Sequence, residues 1–205
     1  MSDSNSHNQT RQQLRRQLRA RRRALTKRQQ RQAAHALLRQ LNRLPALQQA
    51  KHIALYWPAD GEIDPRPWMH SLWRQRRRTC YLPVLHPVHH NRLWFRPVHR
   101  NTPLRANRFG IPEPVGRGPG RAPWTLDAVL MPLVGFSADG GRLGMGGGFY
   151  DRTFAFKHHQ PAGNPRLIGL AHELQRVEAL PQASWDIPVQ QVVTDRGCYC
   201  PVKGP

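Results

Sequence analysis

Residues 127–152 have the sequence DAVLMPLVGFSADGGRLGMGGGFYDR. The stretch begins with five residues typical of a buried strand, passes through a turn rich in glycine, and enters a helical pattern over residues 148–157. A strand followed by a turn and a helix is the repeating unit of α/β proteins, so this stretch indicates the fold class. Because ligands of such folds bind beyond the carboxyl ends of the strands, it also indicates where a site lies.

The rest of the chain alternates in the same way. Short apolar patterns predict strands over residues 52–57, 79–84, 92–96, 127–131, 166–171 and 189–194. Helical patterns cover residues 11–24, 26–44 and 64–77, and Thr26 with Gln29 fits a capping box at the second of these. We therefore expect an α/β fold with a mostly parallel sheet and helices on both faces.

The length of 205 residues suits a single domain. We expect a disordered N-terminal extension over residues 1–10, one domain over 11–200 and a tail over 201–205. Since the chain has neither an apolar stretch that could cross a bilayer nor a secretory leader, we expect a cytoplasmic protein without membrane contact. The three cysteines suit free thiols in a reducing compartment.

The net charge of +20 is concentrated at the start of the chain, where ten basic residues lie between residues 11 and 31. Nearly all the cations are arginines; the lysines are Lys27, Lys51, Lys157 and Lys203. This balance suits a polyanionic ligand, which nucleic acid, a triphosphate or a polyglutamate tail would each satisfy. An arginine-rich helix face that is simply solvated fits the composition equally well.

The glycine-rich turn has the composition of a phosphate-binding loop. Glycines leave backbone N–H groups unshielded and can turn them toward an anion, and the start of the following helix adds partial positive charge. Arg142 and Arg152 flank the loop, and Asp151 offers a hard oxygen ligand for Mg²⁺. The loop lacks the Gly-Lys-Ser/Thr of a Walker A motif, and Phe149 replaces the third glycine of the dinucleotide fingerprint. From the residues alone, phosphate binding and a structural turn remain equally open.

The segment from Met131 to Arg152 resembles the signature of the 5-formyltetrahydrofolate cyclo-ligase family, also known as methenyltetrahydrofolate synthetases. Further segments match the family in order: Arg11-x-x-Leu14-Arg15, Trp57 to Asp64, Gly110-Ile111-Pro112-Glu113-Pro114, Gln175, Leu180-Pro181, Trp185-Asp186 and residues 192–195. The resemblance therefore covers about residues 11–195.

This resemblance implies a single three-layer, Rossmann-like domain of the kind found in the NagB, RpiA and CoA-transferase group. It implies an enzyme that uses ATP and Mg²⁺ to convert 5-formyltetrahydrofolate, with or without a polyglutamate tail, into 5,10-methenyltetrahydrofolate, ADP and phosphate through a phosphorylated formyl group. We also expect a monomer.

The resemblance implies roles for individual residues. The implied catalytic residues are Arg142, Tyr150 and Arg152. The implied ATP-binding residues are Arg11, Arg15, Arg142, Leu143, Gly144, Met145, Gly146, Gly147, Gly148, Phe149 and Tyr150. The implied folate-binding residues are Trp57, Glu62, Phe109, Met145, Gly146, Gly147, Gly148 and Phe149. The implied magnesium ligands are Asp151 and Asp186.

Three residues depart from the family pattern. Arg11 replaces a lysine, Met145 stands where a tyrosine or a basic residue is usual, and Phe149 replaces a common tyrosine. Arg11 and Met145 leave open a family member that binds folate without turnover, and the arginine-rich helix leaves open a basic nucleic-acid-binding protein. Nucleic acid is the less expected ligand, because no reading module is recognisable and the sequence does not interleave its basic residues with aromatics.

Overall fold

A computed structural model of the chain describes the backbone of residues 2–116, 120–181 and 183–200, with side chains from Thr10 onward. The α-helices are α1 (Ser2–Arg23), α2 (Lys27–Arg43), α3 (Pro45–Gln48), α4 (Arg66–Leu72) and α5 (Phe149–Thr153). The strands are β1 (His52–Ala54), β2 (Thr79–Leu85), β3 (Leu93–Val98), β4 (Leu104–Ala106), β5 (Pro112–Pro114), β6 (Ala128–Pro132), β7 (Gly135–Ser137), β8 (Arg142–Leu143), β9 (Arg166–Leu170), β10 (Arg176–Val177), β11 (Gln191–Val193) and β12 (Cys198–Tyr199). Short 3-10 turns span Pro123–Thr125, Ala155–His158 and Glu173–Gln175.

The main sheet of the described residues has the order β12-β11-β9-β6-β1-β2-β3. The five central strands run parallel, and only the edge strands β3 and β12 are antiparallel to their neighbours. The carboxyl ends of β1 and β6 therefore lie side by side at one edge, in the register Ile53 to Ala128 and Ala54 to Val129. The prediction of a mostly parallel sheet is confirmed.

Both faces of this sheet are covered, as the sequence predicted. On one face, Leu37 and Leu41 of α2 and Trp68 of α4 pack against Ile53 and its neighbours. On the other face, a buried hydrophobic cluster joins Phe95 of β3 and Val129 of β6 to Phe154, which follows α5. Each fully buried side chain of this size stabilises the fold by about 1.5–3 kcal/mol relative to exposure, so the two layers together fix the sheet between them.

Helix boundaries follow local signals in some places and tertiary packing in others. The Thr26–Gln29 capping box is present at the start of α2. Helix α1 begins at Ser2, earlier than the sequence predicted. The helix predicted over residues 148–157 divides into α5 and a 3-10 turn, and α4 ends at Leu72 rather than near residue 77. The division into an N-terminal extension and a domain stays a prediction, and residues 201–205 lie outside the described part of the chain.

Two small sheets were not predicted: the antiparallel pair β4-β5 and the three-stranded sheet β10-β7-β8. The second supports the glycine-rich loop, because β8 leads directly into it. Helix α1 packs on this sheet through Leu18, which contacts Val134 and Leu143 in a buried cluster. A side chain at position 135 would lie 2.5 Å from Leu18, so Gly135 allows the helix to approach. No described helix meets the length and hydropathy that crossing a bilayer would require.

Candidate active site

The loop over residues 144–148 joins β8 to α5 at the carboxyl end of the main sheet. Gly146 and Gly148 have φ angles of 95° and 64°, a left-handed conformation that disfavours other residues. Two arginines lie on the loop: Arg15 donates from Nε to the Gly144 carbonyl oxygen at 2.9 Å, and Arg152 donates to the Gly147 carbonyl oxygen. The loop therefore combines a glycine-rich backbone with cations from α1 and α5, an arrangement suited to an anion.

Both predicted magnesium ligands are engaged by arginines. Arg11 forms a two-pronged ion pair with Asp186, with N–O distances of 2.7 and 3.0 Å, and also donates to the Pro181 carbonyl oxygen at 2.8 Å. Arg142 donates to the Asp151 carboxylate and to the Ile187 carbonyl oxygen. Arg11 and Arg142 are 6% and 5% exposed, so each brings a buried positive charge that its carboxylate neutralises.

The two carboxylates come from adjoining segments. Asp151 accepts a hydrogen bond at 3.2 Å from the backbone N–H of Ile187, the residue that follows Asp186. Across the described residues there is no group of three or more His, Cys, Asp or Glu side chains that would enclose a metal. One or two carboxylates completed by substrate phosphates are the usual environment of Mg²⁺, so this donor set fits magnesium held jointly with a nucleotide.

The turn after β1 contains Asp60, whose carboxylate is bonded to three arginines of α1. Asp60 accepts hydrogen bonds from Arg19 at 2.7 Å, from Arg22 at 2.8 Å, and from Arg23. Burial opposes ionisation of Asp60, but these three hydrogen bonds outweigh it and lower its pKa to about 2. Arg22 is fully buried and also donates to the Leu133 carbonyl oxygen at 3.3 Å. The turn after β1 is thereby tied to α1 and to the end of β6.

Glu62, two residues after Asp60, has a raised pKa where that of Asp60 is lowered. Burial raises the pKa of its carboxyl to about 7, although the Ala59 N–H at 3.0 Å and Arg22 favour the charged form. Its nearest cation is Arg22, with an N–O distance of 3.8 Å. Burial and then Glu62 also raise the pKa values of the Tyr56 and Tyr150 hydroxyls, so both phenols stay neutral at physiological pH. Glu62 is thus a carboxyl poised near neutrality beside two hydroxyls.

Aromatic and sulfur-containing side chains form the rim of this region. Phe109 is 55% exposed and meets Phe149 of the glycine-rich segment edge to face, with ring centroids 5.7 Å apart. Met145 is 48% exposed, and its sulfur lies 3.7 Å from an Arg22 guanidinium nitrogen. Trp57 lies under the Arg66 guanidinium, 5.0 Å from its ring centroid. These surfaces suit a flat, partly apolar ligand.

The loop that carries Phe109 is held by its own polar side chains. Asn107 accepts the Phe109 N–H at 2.8 Å and donates to Glu113 at 2.7 Å. Glu113 in turn accepts the backbone N–H of Leu85 at 3.0 Å, which fixes the loop to the end of β2. A cleft of about 450 Å³ follows this loop, between β2, β3 and the β4-β5 pair. The Gly-Ile-Pro-Glu-Pro motif therefore acts as a support for Phe109.

Two residues predicted to touch ATP are placed differently from the others. The Leu143 side chain is fully buried against Leu18, so only its backbone faces toward the loop region. The Arg142 guanidinium is bonded to Asp151 and Ile187 rather than to the loop. Contact of either residue with a phosphate stays a prediction, and for Arg142 it requires release from Asp151.

The model of the 5-formyltetrahydrofolate cyclo-ligase family matches residues 7–195. The chain belongs to this family. The cyclo-ligase of Haemophilus influenzae is 42% identical over 188 residues, covering 90% of this chain and 97% of the relative. The cyclo-ligase of Escherichia coli K12 is 41% identical over 175 residues, covering 85% and 94%. The solution structure of the methenyltetrahydrofolate synthetase of Aquifex aeolicus superimposes with a TM-score of 0.79 at 30% identity, covering 95% and 94% of the two chains.

The family prediction and the fold prediction are thereby confirmed. In this cyclo-ligase family member Arg22 and Asp60, which link α1 to the site, were not among the residues predicted from the sequence. A signal for them was present, because Arg11, Arg15, Arg19 and Arg22 recur every three or four residues and so share one face of α1. From the sequence, a solvated face and a face that binds a polyanion fit equally well, because the carboxylate partners of these arginines lie far away in the chain.

Proposed function

We propose that the protein converts 5-formyltetrahydrofolate into 5,10-methenyltetrahydrofolate, using ATP and Mg²⁺ and releasing ADP and phosphate. The observation that carries this proposal is the glycine-rich loop with Arg15 and Arg152 laid along it, beside the two carboxylates Asp151 and Asp186. Membership of the cyclo-ligase family supplies the substrate class.

At the phosphate end, the loop N–H groups with Arg15 and Arg152 bind the ATP phosphates. Burial lowers the pKa of Arg15, and the positive charge of the neighbouring Arg11 lowers it further. Arg11 and Arg15 therefore already lie close together before an anion is bound. Asp151 and Asp186 would hold Mg²⁺, which would supply positive charge to neutralise the phosphates. Release of Arg11 and Arg142 from these carboxylates makes both guanidinium groups available to phosphate oxygens at the same time.

At the folate end, the Glu62 carboxylate accepts hydrogen bonds from N–H donors of the pterin ring, and Trp57, Phe109 and Phe149 contact the flat rings. A carboxylate that accepts two parallel N–H bonds orients a ring in its plane. Met145 lies between Arg22 and solvent, so it contacts the part of the folate that faces the loop. Glu62 and the loop thereby fix the formyl group relative to the γ-phosphate.

The formyl oxygen attacks the γ-phosphorus, and the bond from phosphorus to the bridging oxygen of ADP breaks. The second folate nitrogen then attacks the activated carbon, loses its proton, and phosphate departs with the former formyl oxygen. The protein contributes positioning and charge neutralisation, which dominate catalysis of phosphoryl transfer. The neutral Tyr150 hydroxyl is a donor held next to Glu62, and Arg142 and Arg152 stabilise charge on the transferred group.

The decisive experiment mixes purified protein with 5-formyltetrahydrofolate, ATP and Mg²⁺ and follows the absorbance of the methenyl product and the release of phosphate together. We expect the two to appear in a one-to-one ratio. Folate binding without product would establish the non-catalytic alternative, and phosphate release without methenyl product would exclude the proposed coupling. A monomeric state, which sedimentation would test, and acceptance of polyglutamylated substrate are further parts of the proposal.

A further inference from the structure

His172 is a buried histidine that follows β9 and contacts the turn after β1. It is 2% exposed. The strands β9, β6 and β1 follow one another in the main sheet, so His172 bridges the ends of two strands that lie about 10 Å apart. Its Nε2 atom lies 3.1 Å from the Gly61 carbonyl oxygen. Because Gly61 directly precedes Glu62, this histidine is bonded to the backbone that carries the proposed folate-binding carboxylate.

The hydrogen bonds of His172 determine which ring nitrogen carries its proton. A carbonyl oxygen only accepts, so Nε2 donates to Gly61. The ring also accepts the backbone N–H of Gln175, which that N–H shares with the His172 carbonyl oxygen at 2.9 Å. Burial lowers the pKa of His172, although the bond to Gly61 and the charge of Asp195 oppose this effect. His172 is therefore a neutral imidazole whose donor and acceptor are both in use.

Gln175 fixes the position of His172 relative to the sheet. This glutamine is fully buried, and its Oε1 accepts the His172 backbone N–H at 2.9 Å. Its Nε2 donates to the carbonyl oxygens of Leu133 and Val134, directly after β6, at 2.7 and 2.8 Å. A side chain that positions another group has to be locked by its own contacts, and His172 meets this condition.

The turn before Glu62 has a backbone conformation that few residues adopt. Asp60 and Gly61 have φ angles of 52° and 74°, and the Glu62 N–H donates to the Ala59 carbonyl oxygen at 2.9 Å, as in a type I′ turn. A left-handed conformation at a residue other than glycine persists only where the surrounding structure holds it. The contacts made by this turn therefore decide where the Glu62 carboxylate lies.

Both carbonyl groups that flank Glu62 accept side-chain hydrogen bonds. The Gly61 oxygen accepts from His172 and from Nε2 of Gln30 in α2 at 3.2 Å, which uses both of its lone pairs. The carbonyl oxygen of the residue after Glu62 accepts the Tyr56 hydroxyl at 2.6 Å. Among these donors, His172 is the one that ties the turn to the far side of β6.

We propose that His172 is a positioning residue for folate binding. Its Nε2–H bond to Gly61 holds the turn in the conformation that directs the Glu62 carboxylate toward the N–H donors of the pterin ring. This inference rests on the proposed function, in which Glu62 binds folate. A carboxylate that orients a ring has to be placed within about 0.5 Å, so a bond to the preceding residue changes the affinity for folate. The affinity for ATP, which binds at the glycine-rich loop, stays the same.

The test compares two substitutions that each keep one half of the imidazole. His172→Gln places an amide N–H near the former Nε2 and keeps the bond to Gly61, but it loses the acceptor for the Gln175 N–H. His172→Asn places an amide oxygen near the former Nδ1 and keeps that acceptor, but its shorter side chain does not reach Gly61. Each variant loses one buried hydrogen bond, so we expect both to unfold at a lower temperature than the unchanged chain.

Calorimetry with 5-formyltetrahydrofolate and, separately, with Mg-ATP measures the outcome. We expect His172→Asn to bind folate about tenfold more weakly, the value of one hydrogen bond, and to bind Mg-ATP as tightly as the unchanged chain. His172→Gln should bind both ligands within about twofold of the unchanged chain. Equal folate affinity in the two variants would overturn the inference, because a merely structural role affects both alike.

Titration of the Glu62 carboxyl by carbon NMR needs no ligand. Burial raises its pKa to about 7, and we expect this value to persist in His172→Gln. In His172→Asn the pKa should fall toward the ordinary 4.5, because a loosened turn admits water to the carboxyl. Equal pKa values in the two variants would contradict the inference. If the unchanged chain bound no folate, the proposed function would fail, while this titration would still test the positioning of Glu62.

Gln30→Ala is a second variant that leaves the core intact. Gln30 is half-buried and donates to the same Gly61 carbonyl oxygen. We expect this variant to bind folate about threefold more weakly and Mg-ATP equally well. Unchanged folate affinity in Gln30→Ala would overturn the inference even if His172→Asn did not fold, because the Gly61 carbonyl would then not need its donors.

Discussion

The two ends of the parallel sheet use arginine in opposite ways. At the carboxyl end, Arg11, Arg22 and Arg142 are buried and each is bonded to a carboxylate. At the amino end, Arg76 and Arg77 are exposed and have no carboxylate partner among the described residues. A paired arginine is held in one position with its charge neutralised, and an unpaired one projects its field into solvent. The basic composition therefore includes both neutralised and unneutralised cations, which the net charge alone does not separate.

The largest effect is expected at the Arg142–Asp151 ion pair, where we propose a magnesium site. Asp151→Asn keeps an oxygen acceptor for Arg142 and for the Ile187 N–H but removes the carboxylate charge that the proposed site requires. Because metal stabilisation of phosphoryl charge is worth several kcal/mol, we expect turnover to fall about 1000-fold. Turnover assays at saturating ATP measure this. The control Glu178→Gln makes the same charge change at an exposed site, and wild-type activity in Asp151→Asn would show that Asp151 does not bind the metal.

The next prediction concerns the buried ion pair between Arg22 and Asp60. Asp60→Asn leaves fully buried Arg22 without its main carboxylate while preserving a residue that tolerates the positive φ of 52°. We expect a loss of about 3–5 kcal/mol in the free energy of unfolding, measured by urea denaturation at neutral pH. Arg23→Ala, which removes an exposed partner of the same carboxylate, should cost less than about 1 kcal/mol. Equal costs would mean that burial of Arg22 is unimportant.

The difference in stability between the unchanged chain and Asp60→Asn is expected to depend on pH in one direction. The pKa of Asp60 falls from 3.8 to about 2 on folding, so its stabilising contribution is complete above 3.8 and is lost as the pH falls toward 2. The gap in stability between the unchanged chain and Asp60→Asn should therefore narrow over that window. A gap that stays constant would contradict the role assigned to the Asp60 charge.

We expect substitution of Glu62 to change the affinity for folate more than the affinity for ATP. Because burial raises its pKa to about 7, its ionised fraction rises between about pH 6 and pH 8. We expect folate affinity to rise over that range, and Glu62→Gln to lose about tenfold at pH 8 and to show no such rise. Calorimetry with 5-formyltetrahydrofolate measures both. A larger loss of ATP affinity than of folate affinity would reassign Glu62.

The smallest predicted effect is the loss of stability when arginine is replaced by lysine, which we compare at the two ends of the parallel sheet. Arg11→Lys loses one prong of the bond to Asp186 or the bond to the Pro181 carbonyl oxygen, and we expect a cost of about 1 kcal/mol in unfolding free energy. Arg77→Lys, at an unpaired position, should leave stability unchanged. Thermal unfolding of the two variants at the same salt concentration measures this difference. Equal stability of Arg11→Lys and Arg77→Lys would show that the fork geometry of Arg11 contributes nothing.

Much of the fold was predictable from local pattern. The buried strands β1, β2, β6 and β9 carry dense apolar runs, and the start of α2 has both members of its capping box. The sheets β4-β5 and β10-β7-β8 were not predicted because their strands are short and, unlike β1 and β11, do not lie within longer apolar stretches of the sequence. The division of the helix after Gly148 was also not predicted. It depends on burial of Phe154 in the hydrophobic cluster with Phe95 and Val129, and not on helix propensity.

The site was predictable in its parts and not in its pairing. The glycine-rich loop, Asp151 and Glu62 are visible in the motifs, and the structure places all three at the carboxyl end of the sheet. Their partners are not visible, because Arg22 and Asp60 or Arg142 and Ile187 meet only when distant segments pack. A sequence shows which residues are charged; burial and partners determine which charges are neutralised.

The bond between Arg11 and Asp186 joins positions 175 residues apart. During synthesis on the ribosome, the helix that carries Arg11 emerges long before its carboxylate partner. A chain that ends before residue 186 lacks this carboxylate and leaves the buried Arg11 guanidinium without its charged partner.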